Sequence, residues 1–179
     1  DSLEGIVDLW NENVWLAARG GGIGSYWGNL RSIGERVGIA GKTSGVIPFI
    51  RVMDSLTLAI SQGSLRRGSA AVYLPMSHPE IEEFIELRRP TGGDPNRKAP
   101  NLHHGVLVPD AFMRAVEADE EWALVSPVDQ TPVRKVRARD LWIRLLTARI
   151  EVGEPYIVFS DQVNRAVPEH HKLAGLSVK

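Results

Sequence analysis

Apolar residues recur along the chain at two spacings, one typical of helices and the other typical of strands. Spacings of three and four residues predict helices over 3–18, 47–61 and 137–152. Shorter apolar runs predict strands, which cover residues 70–74, 104–108, 122–125 and 156–159, with a further strand beginning near Gly24. Because strands alternate with helices and the connections are long enough for crossovers, the pattern predicts an α/β fold with a mostly buried sheet.

Polar segments between these elements predict exposed structure. Residues 30–45 and 88–101 are rich in charge and in glycine, proline or asparagine, which is typical of long surface loops. Asp110 is placed to cap a short helix, and Pro79 is placed to begin another. The helix that begins at Pro79 is predicted to have one solvated acidic face, formed by Glu80, Glu82, Glu83 and Glu86. The continuous apolar run 156–159 predicts a strand that is covered on both faces.

Composition excludes more chemistry than it suggests. A chain of 179 residues with 43% hydrophobic residues and a net charge of −1 can bury one sizeable core and favours no nucleic-acid partner. The absence of cysteine excludes disulfides, thiolate nucleophiles and cysteine metal sites. The five histidines lack a metal-binding spacing, so we predict solvated or capping histidines and no metal site. No apolar run is long enough to span a bilayer, and no signal-peptide pattern is present, so we predict a cytoplasmic protein.

Two glycine-rich stretches are the strongest candidates for contact with a ligand. The glycines within residues 20–24 permit close approach of another backbone or of a ligand. Residues 61–71 combine glycine and serine with Gln62, Arg66 and Arg67, whose amide and guanidinium groups can bind phosphate, carboxylate or base edges. Taken alone, this second stretch is better explained as a plain helix-to-strand connection with solvated arginines.

Several motifs together resemble the large, catalytic subunit of ribonucleotide reductase. They include Gly21-Gly22-Ile23-Gly24, Lys42-Thr43-Ser44-Gly45 followed by Pro48-Phe49, and Ser61-Gln62-Gly63 with Arg66-Arg67-Gly68. The series continues with Pro75-Met76-Ser77-His78-Pro79-Glu80-Ile81, Pro155-Tyr156-Ile157 and Asn164-Arg165. Order and spacing agree along essentially the whole chain, which makes the resemblance specific although each motif alone is weak.

The resemblance implies a fold and an extent. The family's catalytic domain is a ten-stranded α/β barrel, and residues 1–179 resemble an internal segment that comprises the effector-binding helix, the switch loops and about half the barrel. We expect no activator (ATP-cone) domain and no redox tail within it. The motifs look more like the class I, diphosphate-reducing branch than the adenosylcobalamin-dependent branch.

The resemblance also assigns an effector site. A nucleoside triphosphate that sets substrate specificity would bind Asp1, Ser2, Leu3 and Arg31. A carboxylate at a helix start can accept a hydrogen bond from a ribose hydroxyl, while the helix-start amides and an arginine suit phosphate. The family's second effector-phosphate arginine is not clearly matched within residues 36–38.

The same resemblance implies a substrate contact and a switch. Gly22 matches a glycine that lies against the substrate nucleotide, where a side chain would collide. Gln62 and Arg66 match the loop that carries the signal from effector to substrate, and the family's usual Gly-Gly is Gly63-Ser64 here. Glycine-rich flanks would let the loop change conformation with each effector.

The implied activity is reduction of ribonucleotides to deoxyribonucleotides for DNA synthesis, and it requires partners. These are a second copy, which would pair through the helices 3–18 and 47–61, and a small subunit that generates a radical at a metal centre. Thioredoxin or glutaredoxin would supply electrons. Family catalysis uses cysteines, so this cysteine-free segment is expected to hold no catalytic residue and no cofactor, and to be inactive alone.

A second function remains open from the residues. The chain would then be a catalytically inert nucleotide-binding or dimerisation module that kept the effector site and lost the chemistry. A complementing chain that carries the cysteines would favour the enzyme, and its absence would favour the inert module.

Overall fold

The computed structural model of the chain describes residues 1–39, 41–62 and 66–178, and it describes Ser61, Gln62, Arg66 and Arg67 by their backbone alone. Its elements follow in chain order. They are α1 (Leu3–Ala18), β1 (Ile23–Tyr26), β2 (Arg36–Val37), β3 (Gly41–Lys42), α2 (Ile47–Ala59), β4 (Ser61–Gln62), β5 (Arg66–Arg67), β6 (Ala70–Pro75), α3 (Ile81–Ile85), a 3-10 turn (Pro95–Arg97), β7 (His103–Val108), α4 (Asp110–Ala118), β8 (Glu121–Val125), β9 (Pro132–Arg137), α5 (Ala138–Val152), β10 (Tyr156–Phe159), α6 (Ser160–Ala166) and α7 (Glu169–Leu173).

A four-stranded sheet in the order β1-β6-β7-β10 forms the centre, and every neighbouring pair in it is parallel. Along β6, the residues Ala70, Val72 and Leu74 are buried, whereas the alternate residues are only half-buried. The buried face of the sheet packs on the helices, where Ile50 of α2 and Phe84 of α3 share its core. Parallel strands joined by helical crossovers confirm the predicted α/β fold.

The last strand is less covered than its apolar run predicts. Tyr156 and Phe159 are each 43% exposed, so the prediction of a strand covered on both faces was wrong. The reason is position, because β10 lies at the edge of the sheet and pairs with β7 alone among the described strands. A continuous apolar run cannot distinguish a central strand from an edge strand.

Several boundaries differ from the sequence prediction. Helix α2 ends at Ala59 and not at residue 61, because Ile60 takes an extended conformation (φ −86°, ψ 98°) that leads into the β4–β5 hairpin. The predicted loop 30–45 contains the antiparallel arm β2–β3. Strand β9 was missed, because it is charged and mostly exposed and takes its conformation from pairing with β8.

The predicted loop 88–101 is wrong in part, because some of it is packed on α2. Ala99 is 1% exposed, and the Arg51 guanidinium donates to the carbonyls of Pro95 and Lys98. The buried carboxylate of Asp54 accepts hydrogen bonds from the Asn101 amide and backbone N–H. These contacts join residues more than 40 positions apart, so local composition could not reveal them.

Glu154 joins the start of β10 to the start of β7. Its side chain is 7% exposed, with Oε1 2.6 Å from both His103 Nδ1 and Arg88 Nη1 and Oε2 3.0 Å from His104 Nδ1. Burial alone would raise the pKa of Glu154, but hydrogen bonds with His104 and His103 and the charge of Arg88 lower it from 4.5 to about 2. His104 is 1% exposed, so the prediction of solvated or capping histidines was wrong for it.

This cluster predicts sensitivity to acid. The pKa of Glu154 is lower in the folded protein than in the unfolded chain, so its ionised carboxylate stabilises the fold above pH 4.5 and loses that effect as the pH falls to about 2. We expect Glu154→Gln to lower the free energy of unfolding at neutral pH by about 1–3 kcal/mol. The variant should also lose less stability than the parent between about pH 5 and pH 2.

Urea unfolding across that pH range measures both effects. Glu151→Gln is the control, because Glu151 forms an ion pair with Arg89 but its side chain is 42% exposed. If the free energy of unfolding of Glu154→Gln fell with pH as steeply as that of the parent, the stabilising role of the Glu154 carboxylate would be contradicted.

Candidate functional site

A cavity of about 370 Å³ lies where α1 and α2 begin, and we call it the α1 cavity. Its walls include Asp1, Ser2, Leu3 and Arg31, so the structure brings together all four residues that were predicted to bind an effector. The remaining wall residues lie on α1, in the loop after β1, in the β2–β3 arm and directly after it, and on α2. They are Ile6, Leu30, Val37, Gly41, Lys42, Thr43, Ser44 and Phe49.

Arg31 is held in place by two contacts. Its Nε lies 2.8 Å from Asp1 Oδ2, and both side chains are 29% exposed. Its Nη1 donates to the Arg36 carbonyl at 2.9 Å. Nη2 has no hydrogen-bond partner among the residues that the structure describes, so the guanidinium is oriented and keeps a donor available to an anion.

Helix α1 begins at the wall of the cavity. Ser2 occupies the N-cap, and its hydroxyl oxygen accepts a hydrogen bond from the Gly5 N–H at 3.1 Å. The first backbone N–H groups of a helix lack intrahelical partners and carry partial positive charge. This end of the cavity therefore favours a negatively charged group.

The loop that carries Arg31 is held by two buried side chains from the β6–α3 connection. His78 Nε2 lies 3.0 Å from the Leu30 carbonyl, and the Glu80 carboxylate accepts the Ile33 N–H at 3.1 Å. His78 Nδ1 accepts the Glu80 N–H, so Nε2 carries the proton and donates to Leu30. Burial lowers the pKa of His78 and outweighs the opposing effects of Leu30 and Glu35. His78 is 2% exposed, so it is not solvated, whereas its bond with the N–H of Glu80, the N-cap residue of α3, agrees with the predicted capping alternative.

Glu80 also holds the start of α2. Its Oε2 accepts the Val46 N–H at 2.9 Å, and its Oε1 lies 3.1 Å from Arg97 Nη2. Burial raises the pKa of Glu80 above its ordinary value, although the N–H groups of Val46 and Ile33 and the charge of Arg97 oppose that shift. The predicted solvated face was therefore wrong for Glu80, which is 5% exposed. The other three acids lie at the surface in ion pairs with arginines, and they are Glu82, Glu83 and Glu86.

The predicted substrate glycine and the predicted switch lie at the other ends of α1 and α2. Gly22 precedes β1, and a Cβ built on it would meet no atom of the described residues within 4 Å, so packing among these residues does not require glycine there. Gln62 and Arg66 face each other as partners in the β4–β5 hairpin. The remaining loop residues, Gly63, Ser64 and Leu65, lie outside the described residues.

A second cavity of about 320 Å³ lies at the carboxyl ends of the parallel strands. It is lined in part by Asp161 and Asn164, and both side chains are already used by the fold. Asp161 accepts the Asp110 N–H at 2.7 Å, so Asp161 caps α4 and the prediction that Asp110 does so was wrong. Asn164 makes two hydrogen bonds with the backbone of Val178, each of 2.7 Å.

The part of the chain that the structure describes holds no group of three or more histidine, cysteine or acidic side chains arranged to bind a metal ion. Within the same residues, no helix is long and apolar enough to cross a membrane.

Comparison with known proteins decides the family. Residues 1–175 match the protein family described as "Ribonucleotide reductase, barrel domain". The chain belongs to this ribonucleotide reductase family. The match covers almost the whole chain, as the motifs along the sequence predicted, and it identifies the parallel sheet as part of the family's barrel domain.

Individual relatives agree with this assignment. The chain is 44% identical over 179 residues to a ribonucleoside-diphosphate reductase large subunit assigned in Frog virus 3, covering 100% of the chain and 30% of the relative. It is 38% identical over 186 residues to the large subunit of Invertebrate iridescent virus 6, covering 100% and 18%. It is 33% identical over 199 residues to the alpha subunit of Chlamydia muridarum, covering 95% and 19%. The chain therefore spans less than a third of the length of these three ribonucleotide reductase relatives.

Sequence reasoning missed part of the α1 cavity. Lys42, Thr43 and Phe49 belong to motifs that carried the resemblance, but no role was assigned to them, and the structure places all three in the wall of the α1 cavity. His78 and Glu80 also belong to one of these motifs, and neither was predicted to support the cavity from a buried position. The sequence shows only that this histidine and this glutamate lie close together around Pro79. Such spacing does not show that either side chain is buried.

The packing of Glu80 against Gly45 gives a prediction with a matched control. Gly45 has φ +88°, and a Cβ there would lie 2.3 Å from Glu80 Oε1, whereas Gly153 has φ +79° and open space around its Cβ position. Both alanine substitutions carry the cost of a left-handed backbone, about 1 kcal/mol. Gly45→Ala must also displace the buried carboxylate, so we expect it to lower the free energy of unfolding by at least about 2 kcal/mol more than Gly153→Ala.

Chemical denaturation of the two variants measures the difference. Equal losses of stability would mean that the Glu80 carboxylate moves away without cost, and they would contradict its role as an anchor.

Proposed function

We propose that the α1 cavity binds the nucleoside triphosphate effector of a ribonucleotide reductase, an enzyme that converts ribonucleotides to deoxyribonucleotides. One observation carries this proposal. Asp1, Ser2, Leu3 and Arg31, which the sequence assigns to the effector from two separate motifs, line a single cavity. Family membership and the names of the relatives support the reductase itself.

The chemistry of the cavity suits a nucleotide. Its volume of about 370 Å³ falls within the range of small-molecule sites. Arg31 and the start of α1 would bind phosphate oxygens, and Asp1 would accept a hydrogen bond from a ribose hydroxyl. The base of the nucleotide would pack on the apolar part of the wall, which is formed by Leu30, Val37 and Phe49.

The route from effector to substrate would run through the β4–β5 hairpin. The hairpin directly follows α2 and directly precedes β6, and Ala70 of β6 pairs with Ile23, the neighbour of Gly22. A change in the backbone at Gln62 and Arg66 would therefore reach the substrate glycine through one strand pair. This supports the assignment of Gln62 and Arg66 to the specificity switch.

The exposed faces of α1 and α2 would pair with a second copy of the chain. The two helices pack together, with the rings of Trp10 and Phe49 6.1 Å apart. Large apolar side chains nevertheless remain exposed on them, including Trp15 at 60%, Val7 at 48% and Leu58 at 50%. Exposed apolar surface of this kind is typical of an interface between subunits.

Pairing would also solve a problem of distance. The α1 cavity lies at the start of α2, and the hairpin follows its end, so the 13 residues of α2 separate them by about 20 Å within one chain. In an antiparallel two-fold pairing of these helices, the cavity of one subunit would approach the hairpin of the other. The effector would then act across the dimer interface.

Reduction itself would need groups that this chain lacks. With no cysteine, the chain would contribute the specificity site and part of the substrate scaffold, while cysteines outside these residues would carry the radical chemistry. A small subunit with a metal centre would generate the radical, and thioredoxin or glutaredoxin would restore the reduced state. The absence of cysteine equally favours the alternative, an inert nucleotide-binding module, and the two differ in whether a cysteine-bearing partner restores turnover.

Arg31→Met is expected to weaken binding of dATP and dTTP at least tenfold, because a charge-assisted hydrogen bond to phosphate contributes about 1.5–3 kcal/mol. Isothermal titration calorimetry measures the affinity. Arg114→Met is the control, because Arg114 is an exposed arginine on α4. Loss of affinity in the control, or unchanged affinity in Arg31→Met, would contradict the assignment of the cavity.

Trp15→Ser is expected to weaken self-association at least tenfold, because exposed tryptophans that become buried in interfaces often contribute about 2 kcal/mol or more. Sedimentation velocity over a concentration series measures the dimer. Ile150→Ser is the control, because Ile150 is 87% exposed but lies on α5. If both variants associate like the parent, α1 is not part of the interface.

A further inference from the structure

We infer that His103, oriented by Glu154, binds a ribose hydroxyl of the nucleotide substrate. This inference rests on the proposed function, since it adds a contact to the substrate site to which Gly22 was assigned. It concerns a histidine for which the sequence predicted no role in binding.

The imidazole of His103 is oriented through one of its two nitrogens. Its Nδ1 lies 2.6 Å from Oε1 of Glu154, whose side chain is 7% exposed. Burial alone would raise the pKa of Glu154, but hydrogen bonds with His104 and His103 and the charge of Arg88 lower it to about 2. The carboxylate is therefore ionised at neutral pH and can only accept, so Nδ1 of His103 donates. In the neutral imidazole, Nε2 is then left as an acceptor.

The second nitrogen of His103 is available to a ligand. The side chain is 43% exposed, and Nε2 makes no hydrogen bond with the residues that the structure describes. Arg88 Nη1 and the Tyr156 hydroxyl each lie 3.5 Å from Nδ1. The ring of Tyr156 also stacks on that of His103, with the ring centroids 6.1 Å apart. These contacts hold the imidazole in place and leave Nε2 free.

His103 lies on the face of the central sheet that the helices do not cover. In the register of the parallel strands, Gly24 pairs with Ala71, and Ala71 pairs with His103. The neighbours of Ala71 along β6 are Ala70 and Val72, which are buried in the core against the helices. Because successive side chains of a strand extend from opposite faces, the row Gly24, Ala71 and His103 belongs to the other face.

This row connects the proposed substrate glycine to His103. Gly22 lies two residues before Gly24, at the same end of the sheet as His103. Neighbouring strands lie about 4.8 Å apart, so the backbones of β1 and β7 are about 10 Å apart at this level, a distance that one nucleoside can span. Gly24 and Ala71 carry no large side chain, so a ligand can lie over the sheet between them and His103.

A cavity on the same face adjoins this row. Its volume is about 590 Å³, and it is lined in part by Gly24 and Tyr73. The ring of Tyr73 lies against Gly105, where a Cβ would be 2.7 Å from Tyr73 Cε1. Because position 105 has no side chain, this ring can pack close to the sheet, and the face stays open between His103 and the cavity.

The chemistry of the pair favours a hydroxyl group as its ligand. An oriented, neutral Nε2 accepts a hydrogen bond, and a ribose hydroxyl can donate one. The charge of Glu154 is balanced by its ion pair with Arg88, with Oε1 and Nη1 2.6 Å apart. A neutral His103 beside this ion pair therefore adds no net charge that would attract phosphate instead.

The test compares ligands that differ only in their ribose hydroxyls. Calorimetry on the full chain, with the α1 cavity saturated with dTTP, measures the affinity of CDP, 2′-deoxy-CDP and 3′-deoxy-CDP. The parent is expected to bind CDP about fivefold more tightly than at least one of the deoxy ligands. His103→Phe keeps a ring that can stack on Tyr156 but has no acceptor, so it should bind CDP and that deoxy ligand within about twofold of each other.

Two further variants complete the comparison. His103→Gln is expected to retain at least about a twofold preference for CDP, because its amide can donate to Glu154 and accept from a hydroxyl. His170→Phe is the matched control, because His170 is an exposed histidine on α7, and it should show the preference of the parent.

The outcomes separate this inference from the proposed effector site, which is judged by the affinity for dTTP in the parent and in Arg31→Met. If the parent binds no CDP, or binds all three diphosphates equally, the inference is overturned whatever the result for dTTP. It is also overturned if His103→Phe keeps the parent's preference for CDP. If His103→Phe weakens all three diphosphates by the same factor, His103 acts on the fold and not on a ribose hydroxyl, and the inference is wrong.

Discussion

The buried carboxylate of Glu80 holds together the segments that surround the α1 cavity. A carboxylate in the core needs hydrogen-bond partners, and Glu80 takes them from the Ile33 N–H, the Val46 N–H and Arg97. These partners are 47, 34 and 17 residues away in sequence. The hydrogen bonds of this one carboxylate therefore fix the relative positions of the loop that carries Arg31, the start of α2 and the 3-10 turn that carries Arg97. The neighbouring His78 completes the support through Leu30.

This arrangement gives the cavity a fixed base and an adaptable rim. The backbone on both sides of Arg31 is held by buried side chains, whereas Lys42 and the start of α1 are exposed. A binding site with a fixed base loses less conformational entropy when its ligand binds. Helices α1 and α2 run from the cavity to the proposed substrate glycine, Gly22, and to the β4–β5 hairpin, so that this pair of helices connects the proposed effector site to the proposed switch.

The sequence by itself determined the fold class and the family, and it singled out four residues that the structure brings together in the α1 cavity. Apolar periodicity and the glycine breaks are local signals, and they correctly predicted α1, the parallel strands and α5. The grouping of Asp1 with Arg31 came from motif resemblance, and the structure finds these two side chains 2.8 Å apart. Signals of this kind can be recognised in the sequence because each depends on residues that are close together along the chain.

Only the tertiary structure decided which polar side chains are buried and which strands lie at an edge. Glu80 and its acidic neighbours look alike in sequence, yet only Glu80 faces backbone N–H groups from distant loops. Strand β9 forms because β8 pairs with it, and Tyr156 is exposed on β10, which pairs with β7 alone among the strands that the structure describes. Burial and pairing are properties of contacts between residues far apart in the chain, so they follow from how the elements pack and not from the composition of any one segment.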